Sequence, residues 1–462
     1  METIVTEILE IIKGAKDSIS REEQIRSYFE KLACRAVSEA LERIDKELAA
    51  QYADKGWHVE RLDSRTVQAS YGSIQIRRRR MKKKGKDGLY PLDKELGIRP
   101  YRRYTAYMEY VIAQIAAKTV YRVTATAVNL LTPITMSHQQ VSRVVKQVGE
   151  TYIAWEILQG TCDPMEKTEL GCPEVLYIEG DGLMLHGQKK KQKELHRFQI
   201  AEGVQENGSR RELVGTRYVA DFSHEKAKDS LLHYLGCHYD LSNTVVLSNS
   251  DGGAGYNCAV FEEILGKVGR HEHFRDWYHV QRKCKERLPW ANRELRKKLN
   301  RALKKHDREN LMLVLDTLES MAKDEHQTEQ VQLLRGYLER NWTYLASLEQ
   351  RGLGEYSKLL GTCESNHRLY SYRMKKQGRR WSQDGGEAMV KIITGLKNGD
   401  LREAMAAKAE LFNPKPGRDF RGAVRRALKK SKGSVHEGVR HGKITVSAPM
   451  SSAIGQLSKC FA

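Results

Sequence analysis

Apolar residues recur at three- and four-residue spacing near the start of the chain. Ile4, Ile8, Ile11 and Ile12 are followed by Leu32, Ala36, Ala40 and Leu41, with many charges between. That period puts the apolar side chains on one helical face, so residues 1 to about 55 read as helix. The pattern then changes. Thr66-Val67-Gln68-Ala69-Ser70-Tyr71-Gly72-Ser73-Ile74-Gln75-Ile76 predicts a hairpin with Gly72 near its turn. It runs into Arg77-Arg78-Arg79-Arg80-Met81-Lys82-Lys83-Lys84, seven positive charges in eight residues. Helical spacing returns over 103–150 as three short helices. The second covers about 120–131, Thr132-Pro133 breaks the pattern, and Ser137 caps a third helix carrying Gln139, Gln140, Ser142, Arg143 and Lys146. A helix, a tight break and a helix with a polar face suits helix-turn-helix recognition of DNA, although any helical hairpin with a polar face shares the pattern.

Strands and helices alternate over 173–282. Strand one is 175–181. A basic turn, Lys189-Lys190-Lys191-Gln192-Lys193, leads to a second strand near 195–203 and a third near 211–221. Ser223 caps a helix, a fourth strand covers 244–249, another helix follows, and 272–278 is the fifth strand. The order β-β-β-α-β-α-β is that of an RNase H-like domain. Residues 283–360 show only helical periodicity. Glycine then returns, and 361–412 reads as loop and helix. The remainder is basic (Arg418, Arg421, Arg425, Arg426, Lys429, Lys430, Lys432) and ends rich in Gly and Ser, so it is expected to order only with a partner.

The expected class is therefore α/β. A mixed-sheet catalytic core over 170–284 and 361–412 is interrupted by an all-helical insertion over 285–360. Residues 1–100 form a mainly helical region with the basic hairpin, 101–165 the helix-turn-helix-like region, and 413–462 the basic tail.

Charge narrows the function. Lys and Arg number 79 against 59 Asp and Glu, a formal charge of +20 that points to a polyanion as partner. The run Arg77–Lys84 reads as phosphate contact, against the alternative of a solvated edge that prevents strand mispairing. Aromatic content of 8% argues against a sugar cleft worked by paired carboxylates. The eight cysteines include no C-x-x-C pair and read as reduced thiols of a cytoplasmic protein. No apolar run approaches the ~20 residues of a membrane span.

Two acids stand where strands are expected to stop. Asp181 follows Val175-Leu176-Tyr177-Ile178-Glu179-Gly180, and Asp251 follows Val245-Val246-Leu247-Ser248-Asn249-Ser250; each precedes Gly. An Asp before Gly is often only a turn residue. Two of them on apolar strands in a basic chain point to Mg²⁺, with Mn²⁺ as a substitute, held against phosphate. Glu364, in Gly361-Thr362-Cys363-Glu364-Ser365-Asn366-His367-Arg368, is the natural third acid. Arg373, Lys375, Arg379, Arg380 and Trp381 follow it, as backbone contacts for DNA and, for Trp381, as base stacking or core packing.

Glu179-Gly180-Asp181-Gly182, Ser248-Asn249-Ser250-Asp251-Gly252-Gly253-Ala254-Gly255-Tyr256, Asp276-Trp277-Tyr278-His279 and Cys363-Glu364-Ser365-Asn366 together resemble an insertion-sequence transposase of the ISLre type. That group is itself similar to the Mutator-like DDE transposases. The resemblance spans about residue 60 to 410 and rests on the combination of motifs. It implies that Asp181, Asp251 and Glu364 bind two metal ions, one shared by Asp181 and Asp251 and one by Asp181 and Glu364. It further implies that Asp276 and His279 shape the site as accessory residues, and that the chemistry is cleavage at element ends followed by joining to target DNA. Cys363 stands where many relatives have Ala. The implied partners are double-stranded DNA and a second copy of the chain or more, and the implied location is the nucleoid. The alternatives are a metal-dependent nuclease of the same fold without strand transfer and a catalytically inactive DNA-binding derivative.

Overall fold

The computed structural model describes residues 2–161, 170–188, 192–208, 210–356, 362, 366–376 and 379–407. Lys189–Lys191, Glu364 and the basic tail lie outside them. The predicted N-terminal helices form as α1 (Glu2–Gly14) and the 37-residue α2 (Ser18–Asp54). Asp17 starts α2 with a reciprocal cap: its carboxylate accepts from the Ser20 amide at 2.8 Å, and Ser20 Oγ accepts from the Asp17 amide at 3.1 Å. Val37, Leu41, Ile44 and Leu48 of α2 then cover Val67, Ala69, Ile74 and Ile76 of a hairpin, β1 (His58–Ala69) and β2 (Gly72–Lys83). Gly72 opens β2 at φ 133°, where a side chain is strained. A short third strand, β3 (Lys86–Leu89), and α3 (Pro91–Glu95) complete this layer.

The basic run on β2 is not a free cationic edge. Arg78 pairs with Asp93 and lies 4.1 Å from the Tyr90 ring centroid. Arg79 pairs at 2.6 Å with the fully buried Asp45 of α2. Arg80 and Lys82 share Glu60, and Lys83 donates to the Lys55 carbonyl at 2.7 Å. Arg77 and Lys84 remain exposed. The carboxylates that neutralise the run come from β1, α2 and α3.

Three helices follow: α4 (Ala106–Lys118), α5 (Tyr121–Leu131) and α6 (His138–Thr161). α6 is longer than its sequence reading because Val141, Val144, Val145, Val148, Tyr152 and Trp155 continue one apolar stripe into the main core.

The central sheet has five strands in the order β10-β9-β4-β5-β8. They are β4 (Val175–His186), β5 (Gln192–Ala201), β8 (Arg217–Asp221), β9 (Val245–Ser250) and β10 (Arg270–Arg275). β4, β5 and β8 pair antiparallel, whereas β4, β9 and β10 are parallel. Two strand readings are corrected. β4 does not stop at Asp181: its pairing with β9 ends at Gly180↔Ser250, but its pairing with β5 continues to His186. The strand expected over 211–221 is two, because Gly215 at φ 60° turns the chain between β7 (Arg210–Val214) and β8; β7 pairs instead with β6 (Gly203–Asn207).

Helices cover both sheet faces. Leu176, Ile178, Phe198, Ile200 and Val246 face α7 (His224–His238), which Ser223 caps as expected, and α8 (Cys258–Leu265). Leu183, Leu185 and Leu195 face the opposite way, into a core shared with α6, α13 (Arg368–Met374), α14 (Gln383–Asn398) and α15 (Leu401–Ala406). The helical block is α9 (Trp277–Arg287), α10 (Arg293–Lys305), α11 (Arg308–Ser320) and α12 (Glu325–Asn341), around its own leucine-rich core. It starts earlier than expected, since Val280 and Cys284 of α9 already belong to that core. No helix among the described residues is long and apolar enough to cross a membrane.

Candidate active site

Strand register decides which acids meet. Gly180, Ser250 and Arg275 occupy one row across β4, β9 and β10. The next residue in each case is an aspartate: Asp181, Asp251 and Asp276. Side-chain alternation then fixes the face. Tyr177, Leu247 and Phe274 pack together on one side of the sheet, and Asp181, Asp251 and Asp276 share their parity. The three aspartates therefore follow level positions of three parallel strands, Asp251 and Asp276 just past the ends of β9 and β10 and Asp181 within β4, where its pairing with β9 ends. The Asp276 amide donates to the Ser250 carbonyl at 2.8 Å, which ties the row together.

Each aspartate is held locally. Asp181 Oδ1 accepts from the Gly182 amide at 2.7 Å and Asp251 Oδ1 from the Gly253 amide at 2.8 Å. Asp276 caps α9 by accepting from the Tyr278 amide at 2.8 Å, which is why β10 ends at Arg275. Burial pushes the Asp276 carboxyl above the usual carboxylate range against the pull of that amide, and nearby Asp181 adds to the rise. His279, one turn into α9, leaves its buried Nε2 without a partner among the described residues.

The polar surface continues onto β5. Asp181 stands directly opposite Arg197, and Glu179 opposite Gln199. The chain after the helical block folds back on these four residues. Thr362 Oγ1 donates to Glu179 at 3.1 Å, and Gln199 Nε2 donates to Thr362 Oγ1 at 3.0 Å. Asn366 Nδ2 donates to Gln199 at 2.6 Å. His367 Nε2 lies 2.7 Å from Asp181 Oδ2, and buried Arg197 bonds His367 Nδ1. Arginine can only donate, so Nδ1 accepts and Nε2 carries the proton given to Asp181. Glu364 lies outside the described residues, while Thr362 and His367 on either side of it both rest on this surface.

The donors in the row are carboxylate oxygens, the chemistry that Mg²⁺ and Mn²⁺ prefer. The oxygens of the three aspartates do not converge to within 4.8 Å of one another. The one group of three ligand atoms within 4.8 Å of each other among the described residues is Cys258, Glu262 and His271, on the far side of β10. Burial, with Glu262 beside it, pushes the Cys258 thiol up to about 11, so it is a protonated thiol at neutral pH.

Below the row, on that far face, lies a buried polar layer. Ser248 Oγ is 2.7 Å from His271 Nε2 and 2.8 Å from His273 Nδ1. Burial first, then Arg275, pushes His273 down to about 3. An unfolded His keeps a pKa of about 6.5. Below that pH the unfolded chain takes up a proton the native protein refuses, so the His273 contribution is whole above pH 6.5 and drains away toward pH 3. The loss is at most about 1.4 kcal/mol per pH unit. Thermal melts between pH 7 and 4 are expected to fall less steeply for His273→Gln than for the parent; equal slopes would remove His273 from the account.

Arg275 is 8% exposed and spans from the site to the helical block. Its Nη2 donates to Asn341 Oδ1 at 2.5 Å, while Nε and Nη1 have no partner among the described residues. Nη1 lies against Gly252, which sits at φ 80°; a Cβ there would come within 1.5 Å of it. Asp251 and Gly252 are thus wedged over a fixed guanidinium.

Other residues expected to touch DNA are dispersed. Gln139 and Arg143 are exposed one turn apart on α6, but Gln140 folds back to bond the Ser137 amide at 2.7 Å and closes a cap. Arg373 is corrected from backbone contact to buried residue: its Nε donates to the Ala116 carbonyl at 2.7 Å, and its guanidinium lies near the Tyr121 and Trp381 rings. Burial lowers its pKa to about 10. Lys375 and Arg380 are exposed, and Arg379 is partly covered and bonds the Arg373 carbonyl. Trp381 packs in the core and donates to the Met374 carbonyl at 2.9 Å. His367, Arg197, Gln199 and Asn366 received no role from sequence. The available signal was parity: two polar residues on one face of the strand that carries Phe198 and Ile200.

The chain belongs to UPF0236, an uncharacterised protein family whose model matches residues 19–410. It is 34% identical over 463 residues to a protein described as "UPF0236 protein in vanSb 3'region" from Streptococcus gallolyticus, covering 99% of both chains.

Proposed function

We propose that this protein is a DDE-type DNA transposase of an insertion sequence, with an RNase H-like catalytic core. The observation that carries the reading is the aligned row Asp181, Asp251 and Asp276, with the chain on both sides of Glu364 folded back onto it. The strand order, an antiparallel β4-β5-β8 meander beside two further parallel strands, supports the same core. So does the excess of positive charge.

Asp181, Asp251 and Glu364 would hold Mg²⁺ or Mn²⁺. The cation supplies neutralisation of the charge that develops on phosphate oxygens during an in-line displacement. His367 and Gly182 fix the Asp181 carboxylate in place, and Gly253 fixes that of Asp251. Rigid placement lets the acids meet the phosphodiester without reorganising. Asp276 joins β10 to α9 and anchors the helical block beside the row. The substrate is double-stranded DNA, first at the element's ends and then at the target, and joining two ends calls for two or more copies of the chain.

The test is cleavage and strand transfer on a labelled duplex bearing the ends of the encoding element, with Mg²⁺, Mn²⁺ or EDTA. Metal-dependent nicking and joining is expected. Cleavage without joining would make the protein a nuclease, and DNA binding with no metal-dependent chemistry would remove the enzyme from the account.

A further inference from the structure

A cleft of about 470 Å³ lies at the β8 edge of the sheet, with β5 between β8 and the Asp181 strand, and is bounded by the end of α4, β8, α13 and α14. Its wall carries Lys118, Arg368, Arg373 and Lys397, and no carboxylate among the described lining residues. None of the four cations has an ion-pair partner among the described residues. This contrasts with β2, where neighbouring acids neutralise most of the run. Clustered cations raise the local potential and call for an anion. Two tyrosines join them: Tyr372 is 52% exposed, and Tyr218 lies beneath Lys397, whose Nζ is 5.8 Å from the ring centroid. Asn366 also lines the cleft, and the next residue, His367, touches Asp181.

Cations that meet phosphates, beside an exposed ring that meets a base, are the recognition chemistry of single-stranded nucleic acid. The volume falls within the roughly 300–1,000 Å³ of small-ligand sites, enough for about one or two nucleotides and too little for a duplex. We propose that this cleft binds one separated strand of DNA as it leaves the carboxylate row, with Lys118, Arg368 and Lys397 on its phosphates and Tyr372 stacked on a base. The inference rests on the reading of the row as a DNA-processing site, and it adds a strand-specific subsite.

The test is fluorescence anisotropy of a labelled short oligo-dT, and of a duplex of equal length, with the full chain in EDTA across a salt series. Lys118→Ala with Lys397→Ala should lower the single-strand salt slope by about 1.4, since each lost phosphate contact removes about 0.7. Tyr372→Ala should weaken single-strand binding about tenfold or more. Tyr372→Phe should restore it, which a simple loss of folding would not allow. Equal loss of duplex and single-strand binding, or no loss of either, would overturn the inference. Cleavage and joining are measured separately on the same preparations. Strand binding lost in the variants, in a protein that never cleaves, would keep the cleft and sink the transposase reading. Unaltered strand binding in a protein that cleaves would do the reverse.

Discussion

Asp251→Asn is expected to cut metal-dependent cleavage sharply on the proposed reading, in a protein that should still fold and bind DNA. Asp251 follows β9 directly, with one oxygen already held by the Gly253 amide. Asparagine keeps the shape and an acceptor for that amide but removes the charge that attracts a cation. The neutralisation a bound cation supplies is worth several kcal/mol, so cleavage should fall about 10³-fold or more. DNA affinity should hold or tighten slightly, because a negative charge facing a polyanion has gone. Cleavage at parental rates under Mg²⁺ would remove Asp251 from the chemistry and leave it a turn residue.

The second large effect is expected at Gly252→Ala. The new Cβ would meet Arg275 Nη1 at 1.5 Å, on a backbone at φ 80° that alanine disfavours. Arg275 cannot retreat: Asn341 holds its other nitrogen, and its guanidinium lies 5.6 Å from the Tyr344 ring centroid. The loop must yield, and Asp251 moves with it. Backbone strain and overpacking each cost about 1–3 kcal/mol, enough to lower Tm by several degrees. Cleavage should be lost together with stability. Removing the obstacle as well, in Gly252→Ala with Arg275→Ala, should recover part of the difference, the signature of two residues in contact. An unchanged Tm in the single variant would mean that the wedge does not exist in solution.

Much of the core was legible because two local signals coincide. β-branched runs before Asp-Gly located β4 and β9, although β4 runs on past Asp181, and Ser223 before a helical stretch located α7. What a single chain does not display is register. That Asp276 falls level with Asp181 and Asp251 depends on pairing across β9, to which no local pattern refers. His367 was equally hidden, since its value comes from Asp181 and Arg197 far away in sequence. The basic run misled for the same reason. Seven cations in eight residues read as a surface for phosphate, but Asp45, Glu60 and Asp93 are supplied by other elements. Local density of charge does not reveal how much of it the fold has already spent.

Gly252, Arg275 and Asn341 come from a loop, a strand end and the last residue of α12, yet they occupy one volume. They form a lock with three tumblers, and the helical block carries one of them. That block is therefore not a detachable cassette. A chimera that exchanges α9–α12 with a relative's keeps a competent carboxylate row only if position 341 still offers an acceptor to Arg275. In diverging copies the three positions should change together, and a lone change at any of them should mark a copy that has stopped working.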